Sequence, residues 1–215
     1  MNVMAVSVGL PRQVTWRGRA VRTSIFKDPI AGPVKVERLN LAGDRQSDLS
    51  VHGGADKAVY VYPAEHYAFW REELPGVDLR WGSFGENLTS VGLDEGSVRI
   101  GDRLEIGSAS FVVTQPRMPC YKLALRFDRL DMIKRFLMSG RTGFYLSVSR
   151  EGTLQAGDAI TLQPAEPQSI TVAEVVSLYA ADASNQELLR KASQTKALPE
   201  SWRDYFQERL WEPDS

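Results

Sequence analysis

The sequence predicts a mainly β domain, a barrel or sandwich of short antiparallel strands, followed by a small unit of three helices. Three observations carry this. Short alternating or β-branched runs recur up to Leu162, separated by turn residues. Only two helical stretches interrupt them. Beyond the proline-bounded connector Pro164-Ala165-Glu166-Pro167 the period changes from two to that of one-sided helices.

Met1 to Gly9 has no basic region ahead of its apolar residues, and reads as a first strand rather than a signal peptide. Val34 to Leu39 alternates at period two. Ala58 to Tyr62 is β-branched and aromatic and stops at Pro63. Val98 to Ile100 leads into Gly101-Asp102, Arg103 to Ile106 alternates again, and Ser110 to Thr114 follows the turn at Gly107-Ser108. Phe144 to Ser149 and Ala159 to Leu162 complete the set. Such spacing, without long intervening helices, argues for antiparallel packing. The two interrupting helices are Ala64 to Leu74, and Leu130 to Leu137 with Gly140 as its cap.

In the last part of the chain, Val172 to Tyr179, Asn185 to Ala192 (capped by Ser184 or Asn185) and Ser201 to Trp211 each carry one apolar stripe. Each stripe is too small to stand alone, so the three pack together or onto the sheet. We divide the chain into residues 1–165 and a three-helix extension, 166–215.

Of the 215 residues, 26 are Lys or Arg and 27 Asp or Glu, for a net charge of −1. That balance excludes the broad basic footprint of a non-specific nucleic-acid binder. An anionic ligand would have to be caught by a few placed cations. No apolar run reaches the ~18 residues of a spanning helix. The one cysteine cannot form an internal disulfide, and a free thiol fits a reducing, cytoplasmic compartment. Two histidines and one cysteine, with neither His-Glu-x-x-His nor paired cysteines, argue against a zinc site. No Gly-x-Ser-x-Gly elbow supports a serine hydrolase. His66, among helix aromatics, reads as structural.

Chemistry concentrates in three places. Cys120 lies in Gln115-Pro116-Arg117-Met118-Pro119-Cys120-Tyr121-Lys122, after a strand and where Tyr121 to Asp128 can open a short helix. Pro119 suits a first helical turn. A thiol there, near Arg117 and Lys122, would be held more as thiolate, the form that ligates soft metals and attacks electrophiles. The plain alternative is a buried, inert cysteine. The stretch Leu41-Ala42-Gly43-Asp44-Arg45 and then Val51-His52-Gly53-Gly54-Ala55-Asp56-Lys57 combines glycines with the cations Arg45 and Lys57. It suits an anion or a tight solvated loop equally, and is not a Walker loop. Phe84-Gly85-Glu86-Asn87-Leu88-Thr89 by itself reads as a turn.

Taken together and in order, Gly43-Asp44-Arg45, Val51-His52-Gly53-Gly54, Phe84-Gly85-Glu86-Asn87-Leu88 and Pro116 to Lys122 resemble the signature of the MOSC family, named for the C-terminal domain of molybdenum cofactor sulfurases. Gly140 to Tyr145 and Gly152 to Asp158 are similar to the family's closing segment. The likeness covers roughly residues 5 to 163. The helical extension resembles a bacterial subgroup similar to the proteins conferring resistance to 6-N-hydroxylaminopurine.

The resemblance implies a MOSC-type β-barrel and the molybdenum cofactor (Mo-molybdopterin). Cys120 would serve as catalytic residue and metal ligand, with Arg45, Lys57, Asn87 and Arg117 gripping the pterin or its phosphate. His52 would shape the pocket, and Arg141 is a further anion candidate. The implied activity is a molybdenum-dependent reduction of small N-hydroxylated bases. The chain has neither the cysteines for an iron–sulfur cluster nor a flavin fingerprint. Electrons would therefore come from a separate flavin or iron–sulfur donor protein. The alternative is a sulfur carrier, in which Cys120 holds a persulfide received from a pyridoxal-phosphate desulfurase. Aromatic helices leave room for a homodimer, and neither a nucleic-acid polymer nor a membrane is expected as partner.

Overall fold

The computed structural model describes residues 1–47, 53–180 and 184–210. Its centre is an eight-stranded sheet. In spatial order this runs β13 (Ile160–Gln163), β9 (Arg103–Ile106), β10 (Ala109–Pro116), β11 (Phe144–Arg150), β7 (Val59–Pro63), β8 (Leu88–Val91), β1 (Asn2–Val8) and β4 (Asp28–Ile30). A three-stranded sheet of β12 (Gly152–Leu154), β5 (Val34–Glu37) and β6 (Asn40–Leu41) lies beside it, as does a hairpin of β2 (Arg12–Trp16) and β3 (Arg19–Thr23). The runs read as strands from their periodicity are β1, β5, β7, β9, β10, β11 and β13. The stretch Val98 to Ile100 is not a strand and makes only an isolated bridge, Arg99 to Thr171.

Two expectations need correction. The strands do not close into a barrel by a continuous ladder. One edge of β1 is taken by β4 along Val6 to Val8, which leaves only its first residues to reach the far end of the sheet. There Val3 N–H donates to Asp158 O at 2.9 Å, Gly157 N–H donates to Val3 O at 2.8 Å, and Asn2 bridges Ala159. The sheet is also not wholly antiparallel: β7 and β8 run parallel. Parallel neighbours need a crossover, and helix α1 (His66–Glu73) lies on the connection.

Helices α2 (Tyr121–Phe127) and α3 (Met132–Met138) follow β10. Gly140 sits just past α3 at φ 67° and donates to Leu137 O, the cap expected of it. Tyr67 and Trp70 of α1 bury fully against Tyr62, Phe84 and Phe136. His66 Nε2 lies 2.8 Å from Glu95, whose other oxygen accepts from Gly143 N–H at 2.6 Å. The imidazole is thus part of the framework. Gly143 itself stands where a Cβ would come within 2.3 Å of Val61 O, so only glycine lets β11 enter beside β7.

The C-terminal helices are α4 (Val172–Ala180), α5 (Gln186–Gln194) and α6 (Glu200–Gln207). A reciprocal box opens α4: Thr171 Oγ1 accepts from Glu174 N–H, and Glu174 accepts from Thr171 N–H. Asn185 caps α5 by accepting from Leu188 N–H at 3.0 Å. Val175, Leu189 and Phe206 join the same buried cluster as Leu104, Phe111 and Val113 of the sheet. The three helices thus share the sheet's core rather than enclosing one of their own.

Candidate functional site

The ends of several elements converge on a pocket of about 90 Å³. Arg45 comes from the loop after β6, and Lys57 from a 3₁₀ turn at Ala55–Lys57 that leads into β7. Asn87 immediately precedes β8. Arg117 and Cys120 follow the end of β10, and Tyr145 faces in from β11. Five of the residues singled out in the sequence, Arg45, Lys57, Asn87, Arg117 and Cys120, therefore line one cavity although they are spread along the chain.

The other two are His52 and Arg141. His52 lies outside the described residues. Arg141 is not among the lining residues: its guanidinium stacks on the Phe69 ring at 4.0 Å and donates to Ser139 O. That cation–π contact ties α1 to the loop before β11, so Arg141 serves packing and not the pocket.

Sequence reasoning left two cations out of the site. Lys27 lines the pocket from the segment after β3, with Nζ 2.8 Å from Asp44 Oδ2. Lys122, in the first turn of α2, is buried and donates to Ser47 Oγ at 3.2 Å. Lys122 stood in the quoted cysteine segment and could have been taken with it. Lys27 lies in no motif, and only its partner Asp44 pointed toward it. Burial lowers the Lys27 ammonium below the ordinary lysine range, and Asp44 opposes the shift. Lys57 is lowered too, by burial against the pull of Asp56.

The pocket has two unlike walls. On one, the polar side-chain groups of Asn87 and Asp44 are engaged. Asn87 Oδ1 accepts from Tyr60 N–H at 3.1 Å, and its Nδ2 donates to Asp44 Oδ2 at 3.0 Å and to Ser7 O at 3.3 Å. Asp44 Oδ1 also accepts from Gly9 N–H. Asn87 is therefore a bolt between β1, β7 and the Asp44 loop, with its amide already spent, which revises the gripping role expected of it. On the other wall Arg117 is 6% exposed, near the rings of Tyr60 and Phe136, and its Nη1 has no hydrogen-bond partner among the described residues. Cys120 beside it is half-buried and is the residue immediately before α2; its thiol makes no capping bond. Pro119 consequently lies outside the helix rather than in its first turn. Among the described lining residues there are five cations and one carboxylate, Asp44, and that carboxylate already holds Lys27. The remaining surplus suits an anion. No group of three or more His, Cys, Asp or Glu side chains could hold a metal among the described residues. A metal here would reach the protein mainly through Cys120.

Comparison with known proteins agrees with this geometry. A family model described as MOSC domain matches residues 48–161, and one described as YiiM-like, 3-alpha helix domain matches residues 170–211. The chain is 39% identical over 208 residues to the protein YflK of Bacillus subtilis, spanning 97% of this chain and 94% of that one. It is 34% identical over 148 residues to a protein named Reductase from Gibberella moniliformis, which covers 67% of this chain and 26% of the fungal protein. The crystal structure of YiiM from Geobacillus stearothermophilus matches with a TM-score of 0.81 at 33% identity, over 98% of this chain and 99% of that one. These matches place the chain in the MOSC domain family, with a YiiM-like three-helix domain at its C-terminal end.

Proposed function

We propose that the pocket binds the molybdenum cofactor and that the protein reduces small N-hydroxylated compounds to amines. The observation that carries this is the Arg117 guanidinium, buried beside Cys120 with an orphaned Nη1. A guanidinium keeps its charge at any relevant pH, and a buried charge without an anionic partner costs several kcal/mol. An anionic ligand would remove that cost. The residues present fit a group that is both anionic and thiophilic: Arg45, Lys57 and Arg117 for its phosphate and pterin edge, Lys122 close by, and Cys120 for its metal. The family match and the reductase name borne by a fungal relative favour the same reading.

When bound, the cofactor supplies two-electron chemistry coupled to oxygen-atom acceptance. Overall, a hydroxylamine takes up two electrons and two protons and yields an amine and water. This chain's residues hold the site for that exchange. Burial raises the Tyr145 phenol above its ordinary value, Arg117 pulls the other way, and Cys120 adds to the rise. The phenol therefore stays protonated in the pocket lining, in contact with Arg117. The Lys122–Ser47 bond holds the ammonium in the pocket that Cys120 also lines. Electrons come from a separate donor protein. A working free thiol puts the reaction in the reducing cytoplasm. Among the described residues, no helix is long and apolar enough to cross a membrane.

Molybdenum and pterin content decide the matter, measured on protein made in a molybdate-fed, cofactor-competent host with Cys120→Ala alongside. We expect molybdenum near one per chain in the natural protein and a loss of most of it in the variant. No molybdenum in either protein would refute the cofactor assignment. A persulfide mass increment on Cys120 in that same material would point to sulfur transfer instead.

A further inference from the structure

We propose that the tip and the exposed arginines of the β2–β3 hairpin dock an acidic surface of the electron-donor protein; this rests on the reductase reading above. The first 27 residues hold Arg12, Arg17, Arg19, Arg22 and Lys27 and no carboxylate, in a chain whose charges otherwise balance. Lys27 is buried on Asp44, but all four arginines are exposed. Among the described residues none of the four lies within ion-pair distance of a carboxylate; Arg12 rests on the Phe26 ring at 3.8 Å and Arg17 near the Trp16 ring.

The hairpin is anchored on one side only. Val14, Trp16 and Val21 pack against the aromatic cluster, and Trp16 Nε1 donates to Asp128 at 3.0 Å. The register puts Gln13, Thr15, Ala20 and Arg22 on the opposite face, while Arg19 pairs with Trp16 and Arg12 with Thr23 along the anchored side, where both arginines stay exposed. At the end of β3, Thr23, Ser24 and Ile25 line the pocket, so the base of the hairpin adjoins it.

The tip supplies a second, independent sign. Arg17 and Gly18 both have positive φ, at 50° and 74°, which is the two-residue turn that Asn-Gly makes with least strain. An arginine held in the left-handed region costs folding energy; Gly18 has open space around it, and among the described residues the one contact of the Arg17 side chain is with the neighbouring Trp16 ring. A local choice that disfavours the turn while placing a cation at its apex is what a docking role requires. Charges at an interface rim govern encounter rate and its salt dependence more than the final contact energy.

The test uses full-length, cofactor-loaded protein with two donors: a reduced acidic flavodoxin, and the methyl viologen radical, a small cation that needs no docking face. Variants are Arg17→Glu with Arg19→Glu, and Arg17→Asn alone. We expect the double variant to lose about tenfold in flavodoxin-driven kcat/KM at low salt and most of the salt dependence, with the viologen rate unchanged. Arg17→Asn should keep or raise Tm while lowering the flavodoxin rate, a combination that a purely structural arginine does not give. Binding of the oxidised flavodoxin, followed by calorimetry at low salt, reads docking without turnover. Equal binding and equal flavodoxin rates in the natural protein and the double variant overturn the proposal, as does absence of flavodoxin binding to either. Charge-dependent binding together with no viologen-driven turnover supports the docking face and overturns the reductase reading alone.

Discussion

The two walls of the pocket are built from similar residue types and behave differently. Around Asp44, a carboxylate, an ammonium and an amide satisfy one another, with Gly9 N–H and Tyr60 N–H drawn in. Around Arg117, a guanidinium and a thiol are buried or half-buried with bonding capacity left over. A satisfied network holds strands in place; an unsatisfied one waits for something to complete it. Charge alone does not separate these roles, since Lys27 and Arg117 are both buried cations. What separates them is whether the chain itself supplies the counter-charge.

Breaking the closed wall should give the largest effect. Asp44→Ala leaves Lys27 buried and unpaired and strips Asn87 and Gly9 of an acceptor. Removing one partner of a buried pair costs about 3–5 kcal/mol, and for a chain of this size that is a fall in Tm of about 10 °C or more. Differential scanning calorimetry checks it; a fall under about 3 °C would mean the network contributes little. The sign with pH follows from Lys27. Its folded-state pKa is lowered, so the folded protein binds fewer protons than the unfolded chain between that value and the ordinary lysine range. Stability associated with Lys27 therefore rises with pH across that window.

On the open wall the expected pattern reverses. Arg117→Met keeps most of the stem and removes a buried charge that has no carboxylate partner, so Tm without ligand should hold or rise, the opposite sign to Asp44→Ala. Inorganic phosphate, added as a simple anion, should raise the Tm of the natural protein, the stabilisation growing as the logarithm of one plus its concentration over Kd. We expect the variant to need about tenfold or more phosphate for the same rise. Equal stabilisation in both proteins would remove Arg117 from the anion site.

How far this contrast could be read from the sequence depended on what each residue's neighbours were. Period-two runs such as Arg103 to Ile106 were legible because alternating burial is written into alternating residue type. The β2–β3 hairpin was not, since its exposed positions are arginines and only Val14, Trp16 and Val21 mark the inner face. Strand β8 escaped for the opposite reason: Thr89 and Ser90 are fully buried, and polar residues hid a core strand. The buried Glu86 carboxylate that accepts from Thr89 Oγ1 could not be foreseen from spacing. At the site, Cys120, Arg117, Arg45 and Lys57 were found through glycine-rich or proline-bounded loops, which tend to sit where strands end. Asn87 was found but misjudged, because a list of donors does not show which are already in use. Arg141 was drawn in by its charge, and Phe69 had claimed it.

The smallest expected effect links the pocket to the C-terminal helices. Trp202 of α6 donates from Nε1 to Gln115 Oε1 at 2.9 Å, and the neighbouring Thr114 Oγ1 donates at 2.7 Å to Asp56 O in the turn that presents Lys57. Gln115 Nε2 reaches the same carbonyl at 3.4 Å. Trp202→Phe keeps the ring stack on Phe206 but leaves a buried acceptor unmatched, at a cost of about 1–3 kcal/mol. If the helices merely cover the sheet, phosphate affinity measured well below Tm should not change. If they hold the Lys57 turn, affinity should fall about threefold, and the loss should shrink when Lys57→Met is present. A double-mutant cycle on phosphate affinity reads that coupling, expected near 0.5–1 kcal/mol. Strict additivity would confine Trp202 to packing and leave the pocket to the sheet alone.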